Sequence, residues 1–352
     1  MIQDFSFGLF RRLPTDGNLV VSPVSVEAVL RVAQLGAQAA TRAELDRLLG
    51  APSEFPPRVF EPSDPVEAGY LNGVFVRAGL PLNDKFRSEA ARRYHAECAN
   101  LDFELPTGAS VVNDAVSKAT RGRISRVVSP EELRESVVFL VNAVYFKAPW
   151  ASPFRKDLTR MGEFTLPSGE RVLVPLMRQR VSVPMWQDEE VLALELEYGG
   201  GEYVFDLLLP GRPDGVSALA QELDQERVRG WLSKLQLQSI ILEMPRFRRV
   251  PGRGLSLKVA LGSLGLVRAL TPEADFGGMT TGPAYISDIT QSVFFEVDEA
   301  GTEAAAATAV PMPRAQPPKE VSVTHPFLFL LRHRATGTIL FIGRVVDPTS
   351  TD

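Results

Sequence analysis

The stretch Glu299-Ala300-Gly301-Thr302-Glu303-Ala304-Ala305-Ala306-Ala307-Thr308-Ala309-Val310 narrows what this chain can become more than any other: a glycine pivot, then a strand's length of small side chains. No charge falls between Glu303 and Arg314, so the seven residues Ala304 to Val310 can be buried on both faces of a sheet without stranding an ion. Alternation along a strand puts Thr302, Ala304, Ala306 and Thr308 on one face and Glu303, Ala305, Ala307 and Ala309 on the other. The pattern describes a strand held in reserve, with the first set turned inward.

At 352 residues and 45% hydrophobic content the chain can bury a large core, in one big domain or two ordinary ones. A formal net charge of -5 argues against nucleic acid, whose binders neutralise phosphates with Lys and Arg. The densest basic runs, Arg246-Phe247-Arg248-Arg249 and Arg92-Arg93, are short and read as solvated surface. Cys98 is the only cysteine, so the fold holds by packing without an intrachain disulfide, and no cysteine-based metal site can be built. No apolar run reaches the roughly 18 to 20 residues that span a bilayer, so no membrane partner is expected. Met1 runs into Phe5-Ser6-Phe7-Gly8-Leu9-Phe10, an amphipathic helix start with no leader-like pattern, which suits a cytoplasmic protein or a mature secreted form alike.

Along the chain, Leu19-Val20-Val21 predicts a short strand, Ser22-Pro23 a helix start, and Thr41 a cap for a helix over Arg42 to Leu49. Five prolines between Ala51 and Pro65 mark a connector. Tyr70 to Val76 and Val137 to Phe146 read as strands, and Asn83 to Tyr94 and Val111 to Val127 as helices. The second half is mostly strand-like, over Glu163 to Leu166, Val172 to Leu176, Val191 to Glu197, Tyr203 to Leu209 and Ser239 to Pro245, with Gly199-Gly200-Gly201 as a hairpin turn. Ser217 to Lys234 has a helical period, and two apolar runs around Thr336-Gly337 predict a terminal hairpin. The mixture is α+β, and with no repeat or interdomain linker a single domain over 1–352 is the simplest account.

Nucleophile-elbow, P-loop, zincin, EF-hand and dinucleotide fingerprints are missing from the sequence, which argues against an enzyme. Of the three histidines, His95, His325 and His333, none stands in metal-ligand spacing, and His325 before Pro326 suits a structural hydrogen bond. No metal and no cofactor are expected.

Longer motifs carry more. Asn142-Ala143-Val144-Tyr145-Phe146-Lys147 with Trp150 and Pro153-Phe154, and Asn18-Leu19-Val20-Val21-Ser22-Pro23 with Ser25, resemble signatures of the serpin family. Ala274-Asp275-Phe276-Gly277-Gly278-Met279 is similar to the turn ahead of strand five of that family's central sheet A. His325-Pro326-Phe327 and Phe341-Ile342-Gly343-Arg344-Val345 are similar to its last strands, so the likeness runs from near Phe5 to Pro348.

The resemblance implies a serpin fold: a large central sheet A, two further sheets, about eight or nine helices, and an exposed reactive-centre loop over 299–318. It also implies a monomeric suicide-substrate inhibitor of serine proteases. The loop is cut, the acyl-enzyme is trapped, and the loop's first half enters sheet A as a new strand. The hinge falls on Glu299, Gly301, Thr302, Glu303, Ala304, Ala305, Ala306, Ala307 and Thr308, and the sheet-opening region on Ser22, Ser25, Asn142, Trp150 and Gln291. Roughly ten new ladder bonds at about 0.5 to 1.5 kcal/mol each put insertion on the order of 10 kcal/mol. The other possibility is a non-inhibitory carrier or structural serpin; such members carry bulky, charged or proline residues in the hinge, which this chain lacks on the inward face Thr302, Ala304, Ala306 and Thr308.

Family spacing places the reactive bond at Ala315-Gln316, favouring small-pocket proteases of elastase or subtilisin type. A register one residue shorter gives Arg314-Ala315 and a trypsin-like target. Three departures stand out. Gln291 replaces a usual histidine, the 51–65 connector is too short for the family's basic heparin helix, and Pro311 and Pro313 cannot donate to a ladder at the inserted strand's far end.

Overall fold

Val138–Lys147 is buried at every position but its last, the signature of a strand covered on both faces. In the computed structural model, which describes residues 5–50, 65–250, 252–301 and 318–351, this strand lies at the centre of a six-stranded sheet, here called sheet A. Its side chains split by alternation. Val138, Leu140, Val144 and Phe146 join the main core, and Phe139, Val141, Ala143 and Tyr145 a second core beneath the helix Pro106–Ala119.

On one side Val138–Lys147 pairs antiparallel with Glu67–Arg77, which in turn pairs parallel with Ala96–Leu101. On the other it pairs parallel with Ile286–Val297, from Ile286 opposite Val138 to Phe294 opposite Tyr145. Above that point Ile286–Val297 turns its far edge to Phe247–Arg249, and lower down to Leu255–Ser256. The two central strands are therefore parallel neighbours, and the chain between them builds most of the remaining architecture.

That remainder centres on a nine-stranded sheet. The two smaller sheets expected from the sequence are contiguous in it, joined by the 17-residue strand Arg171–Gln187, which far outruns the predicted Val172 to Leu176. One end of that strand pairs with Arg160–Thr165, its middle with Gln236–Pro245, and its last residues with Val191–Glu197. The terminal hairpin Phe327–His333 and Ile339–Val345 forms as predicted and takes Leu19–Val21 on its outer edge. Gly343 is required there, because a Cβ would sit 2.1 Å from the Phe329 ring. With nine α-helices among the described residues, the fold is α+β.

Several elements differ from the sequence reading for local reasons. The helix expected over Val111 to Val127 is Pro106–Ala119; Arg121 and Gly122 take positive φ of 51° and 76°. Asn113 then folds the following segment back along the helix by accepting the Val127 and Val128 amides. The span Ser217 to Lys234 is two helices, Val216–Glu222 and Gln225–Leu232, the second capped by Asp224. Thr41 is no cap: its helix begins at Ala39, and its hydroxyl accepts the Asp275 amide, tying the Ala274–Met279 turn to the helices. The connector at residues 51–64 lies outside the described residues.

The short strand Lys319–Ser322 pairs parallel with Gln236–Pro245 at the edge of the larger sheet. Glu243 holds it there through Ser322 at 2.9 Å, and binds Arg160 and Arg178. Burial works to raise the Glu243 carboxyl, but the bonds from Arg178, Ser322 and Arg160 outweigh it and hold it below the usual range. A depressed carboxylate contributes stability that is full above its unfolded value, about 4.3, and is lost as pH falls through the lower folded value. Amide protection of Lys319–Ser322 is therefore expected to weaken on acidification through that window; Glu243→Gln should flatten the dependence, and hydrogen exchange at several pH values checks it.

Candidate functional site

Polar residues at three successive strands interrupt the apolar interior of sheet A. Asn72 stands opposite Asn142, and Asn142 opposite Gln291, so one polar row crosses Glu67–Arg77, Val138–Lys147 and Ile286–Val297. All three are buried. The Gln291 amide donates to Asn142 Oδ1 at 2.6 Å and to the Ser22 carbonyl at 3.0 Å, while its oxygen accepts the Ser22 N–H at 2.9 Å. Asn142 donates to Ser25 Oγ at 2.7 Å and to Asn72 Oδ1 at 3.0 Å. The row is thus bolted to the start of the helix Pro23–Gly36. Ser22, Ser25, Asn142 and Gln291 come together as predicted; Asn72 was missed, although an asparagine amid the apolar Tyr70 to Val76 run was a visible signal.

Trp150 is not part of this cluster. It lies beyond the upper end of Val138–Lys147, stacked on Tyr198 at 4.4 Å between ring centres, with its indole N–H donating to the Asp298 carbonyl at 3.0 Å. There it meets the first hinge residues. The Trp150 amide donates to the Ala300 carbonyl at 2.9 Å, and the Phe154 amide to that of Glu299 at 2.7 Å. Gly301, at φ 119°, closes a turn with Asp298; a Cβ would lie 2.5 Å from both the Ala148 carbonyl oxygen and the Trp150 nitrogen. Glu299 is buried, accepts from the Thr159 hydroxyl at 2.6 Å and pairs with Arg246 at 3.3 Å. Thr159, Tyr198 and Arg246 carried no sequence signal for this role. Thr302 to Thr308, and Arg314, Ala315 and Gln316, lie outside the described residues.

No nucleophile emerges in these clusters. His325 Nε2 contacts the Pro210 carbonyl at 2.8 Å, the structural bond expected of it, and burial pushes the Cys98 thiol up to about 12, where it stays protonated.

The geometry is that of a sheet with a closed parallel seam at its centre and a chain poised above it. Residues 1–348 match the family described as Serpin (serine protease inhibitor), and the chain belongs to that family. A serpin-like protein of Thermococcus kodakarensis is 32% identical over 368 residues, covering 99% of this chain and 85% of that one. The leukocyte elastase inhibitor of Xenopus tropicalis is 30% identical, covering 98% and 97%. Among solved structures, native protease nexin-1 with heparin superposes with a TM-score of 0.88 at 25% identity, over 99% of each chain. Serpins typically inhibit proteases, and metastability and conformational change are typical of them.

The polar row makes a direct prediction. Gln291→Leu removes three hydrogen bonds and strands the Ser22 amide and Asn142 Oδ1. The intact protein should lose about 2 to 4 kcal/mol, read as a lower urea midpoint at unchanged slope. An unchanged midpoint would show that the bonds contribute nothing.

Proposed function

We propose that this serpin is a suicide-substrate inhibitor of serine proteases, acting by insertion of its cleaved loop into sheet A. The observation that carries the reading is topological. Val138–Lys147 and Ile286–Val297 are parallel neighbours, and the chain leaves the second through the Asp298–Gly301 turn, directly above the seam. A segment running down from residue 302 would be antiparallel to both strands and could bond to each. The paired stretch from Ile286 to Phe294 is nine residues long, and so is the run from Thr302 to Val310, in which Glu303 is the one charged residue. Continued from the bridges that Gly301 makes with Asp298 and Pro149, this register would bring Pro311 and Pro313 opposite Asp288 and Ile286, the last pairs of the seam, where each leaves a ladder bond unmade.

In this reading Asn142–Gln291 is the bond that insertion must break, Trp150 and the Glu299–Arg246 pair hold the hinge, and Thr302 and Ala304 enter first. Ser22, Tyr145 and Ser292, on or beside the seam, each bury a hydroxyl with no partner among the described residues. Such groups cost about 1 to 3 kcal/mol apiece, and they support a closed state that is not the chain's best. We place the reactive bond at Ala315-Gln316, with Arg314-Ala315 as the shorter register. The likeness to an elastase inhibitor supports a small-pocket target. Heparin accompanies protease nexin-1 in its structure, but the 51–65 connector here holds only Arg58 as a basic residue, and no heparin activation is proposed.

Mixing with elastase, subtilisin and trypsin should give at least one adduct that survives denaturing electrophoresis. Clean cleavage by all three with no adduct would favour the carrier reading. Loop-nicked protein should melt well above intact protein, and Thr302→Arg should convert trapping into turnover; an unchanged adduct yield would refute insertion at its first step.

A further inference from the structure

The strands Arg171–Gln187 and Val191–Glu197 pair only from Met185 to Gln187, opposite Leu194 to Leu192, and then part. Beyond that point Glu195, Leu196 and Glu197 are laddered on one side alone, to Tyr203–Pro210, and Val181 to Pro184 likewise, to Gln236–Pro245. A strand paired on one side turns every second residue's N–H and C=O to the other, so the gap lies between two half-open edges. The Ala151 amide donates to the Glu197 carbonyl at 2.8 Å and Trp150 bridges to Tyr198, which closes the wide end. This wedge holds a cavity of about 380 Å³. Its walls are mostly apolar, with Trp150, Val181, Val183, Leu196 and Leu237 among them. The charges on it, Glu195, Glu197 and Arg334, are already tied together, Arg334 reaching the two carboxylates at 2.7 and 2.8 Å. Gln179 stands apart from both sets. It is the one polar residue on the inward face Met177, Gln179, Val181, Val183 and Met185, and it is 7% exposed. Its side-chain amide has no hydrogen-bond partner among the described residues.

We propose that this cavity binds a small neutral molecule with a flat apolar body and a carboxamide edge. A glutamine amide offers N–H donors and a C=O acceptor in one plane, and another carboxamide meets one of each in a pair of antiparallel bonds. A buried amide left unpaired is unfavourable, so a ligand that pairs it gains affinity that an analogue without the donor forgoes. A carboxylate is disfavoured, because it would shed its water beside Glu195 and Glu197 while the arginine that answers them is already engaged. Apolar walls around a few polar groups are what small-molecule sites share, and a wedge between two strand edges suits a flat body. Binding here does not depend on loop insertion.

2-Naphthamide, titrated calorimetrically into the intact protein, should bind at one site. 2-Acetonaphthone, which keeps the acceptor and loses the donor, and 2-naphthoate, which carries a charge, should each bind at least tenfold more weakly. Gln179→Met keeps the volume and removes the amide; it should bind 2-naphthamide at least tenfold more weakly and no longer prefer it to 2-acetonaphthone. Because that amide has no partner to lose, Gln179→Met should melt no lower than wild type, so lost binding cannot be laid to unfolding. Leu237→Glu, at a rim position 74% exposed, should weaken amide and ketone alike. No saturable binding by wild type, or undiminished binding by Gln179→Met or Leu237→Glu, overturns the site. Equal binding of the ketone or the carboxylate overturns the ligand class. A melting temperature of Gln179→Met several degrees below wild type would show that the amide is already partnered, and overturns its role.

Discussion

The parallel ladder between Val138–Lys147 and Ile286–Val297 holds the centre of sheet A, and it is the pairing that the proposed insertion would exchange. Parallel pairing is slightly weaker per residue than antiparallel pairing. Substituting two antiparallel ladders for one parallel ladder gains about one strand's worth of hydrogen bonds, on the order of 10 kcal/mol. In that proposal, what would hold the exchange back is not the ladder itself. It is the set of side chains that must be undone before a new strand finds a partner: the Asn142–Gln291 bond in the middle, Arg123 over both strands, and the hinge turn at the top. Under the proposed insertion these holds would form the barrier, beside what they contribute to the stability of the closed state.

Elements with strong periodicity or a chemical punctuation mark were legible in the sequence. Val138–Lys147 is continuously apolar, the terminal hairpin turns at Gly337 with φ 70°, and Gly200 and Gly201 with φ 87° and 72° make the turn expected of them. Ala96–Leu101 went unread because an edge strand of sequence AECANL, only partly buried, shows neither an apolar run nor a clean alternation. The helix boundaries failed where side chains of distant residues, Thr41 and Asn113 among them, spend their hydrogen bonds on tertiary partners instead of on caps. Local pattern cannot reveal that choice.

The site was legible in part for the same reason. Gln291 and Asn142 were placed by resemblance, but the row they form with Asn72 depends on strand register, which is set by packing across three strands. Trp150 was grouped with them although eight residues separate it from Asn142, roughly 26 Å along an extended chain. Its place is beyond the upper end of the strand, with the hinge. The seam consequently has two separate holds, and a strand entering from above, as proposed, would meet Trp150 and the Glu299–Arg246 pair before the polar row.

The replacement of histidine by Gln291 follows from what the row demands. Its position asks for two donated hydrogen bonds, to the Ser22 carbonyl and Asn142 Oδ1, and one accepted, from the Ser22 amide. A primary amide meets all three demands with no change of charge. A neutral imidazole has a single N–H and must leave one acceptor unmet; the protonated ring supplies two donors but then strands the Ser22 amide. A histidine latch would therefore strengthen and weaken with pH around neutrality, whereas the glutamine latch has nothing to titrate. The carboxylate whose titration bears on the chain beyond the loop, Glu243, sits on the larger sheet and responds only in acid. Near neutral pH this latch is thus held by geometry and hydrogen bonding, with no change of charge of its own.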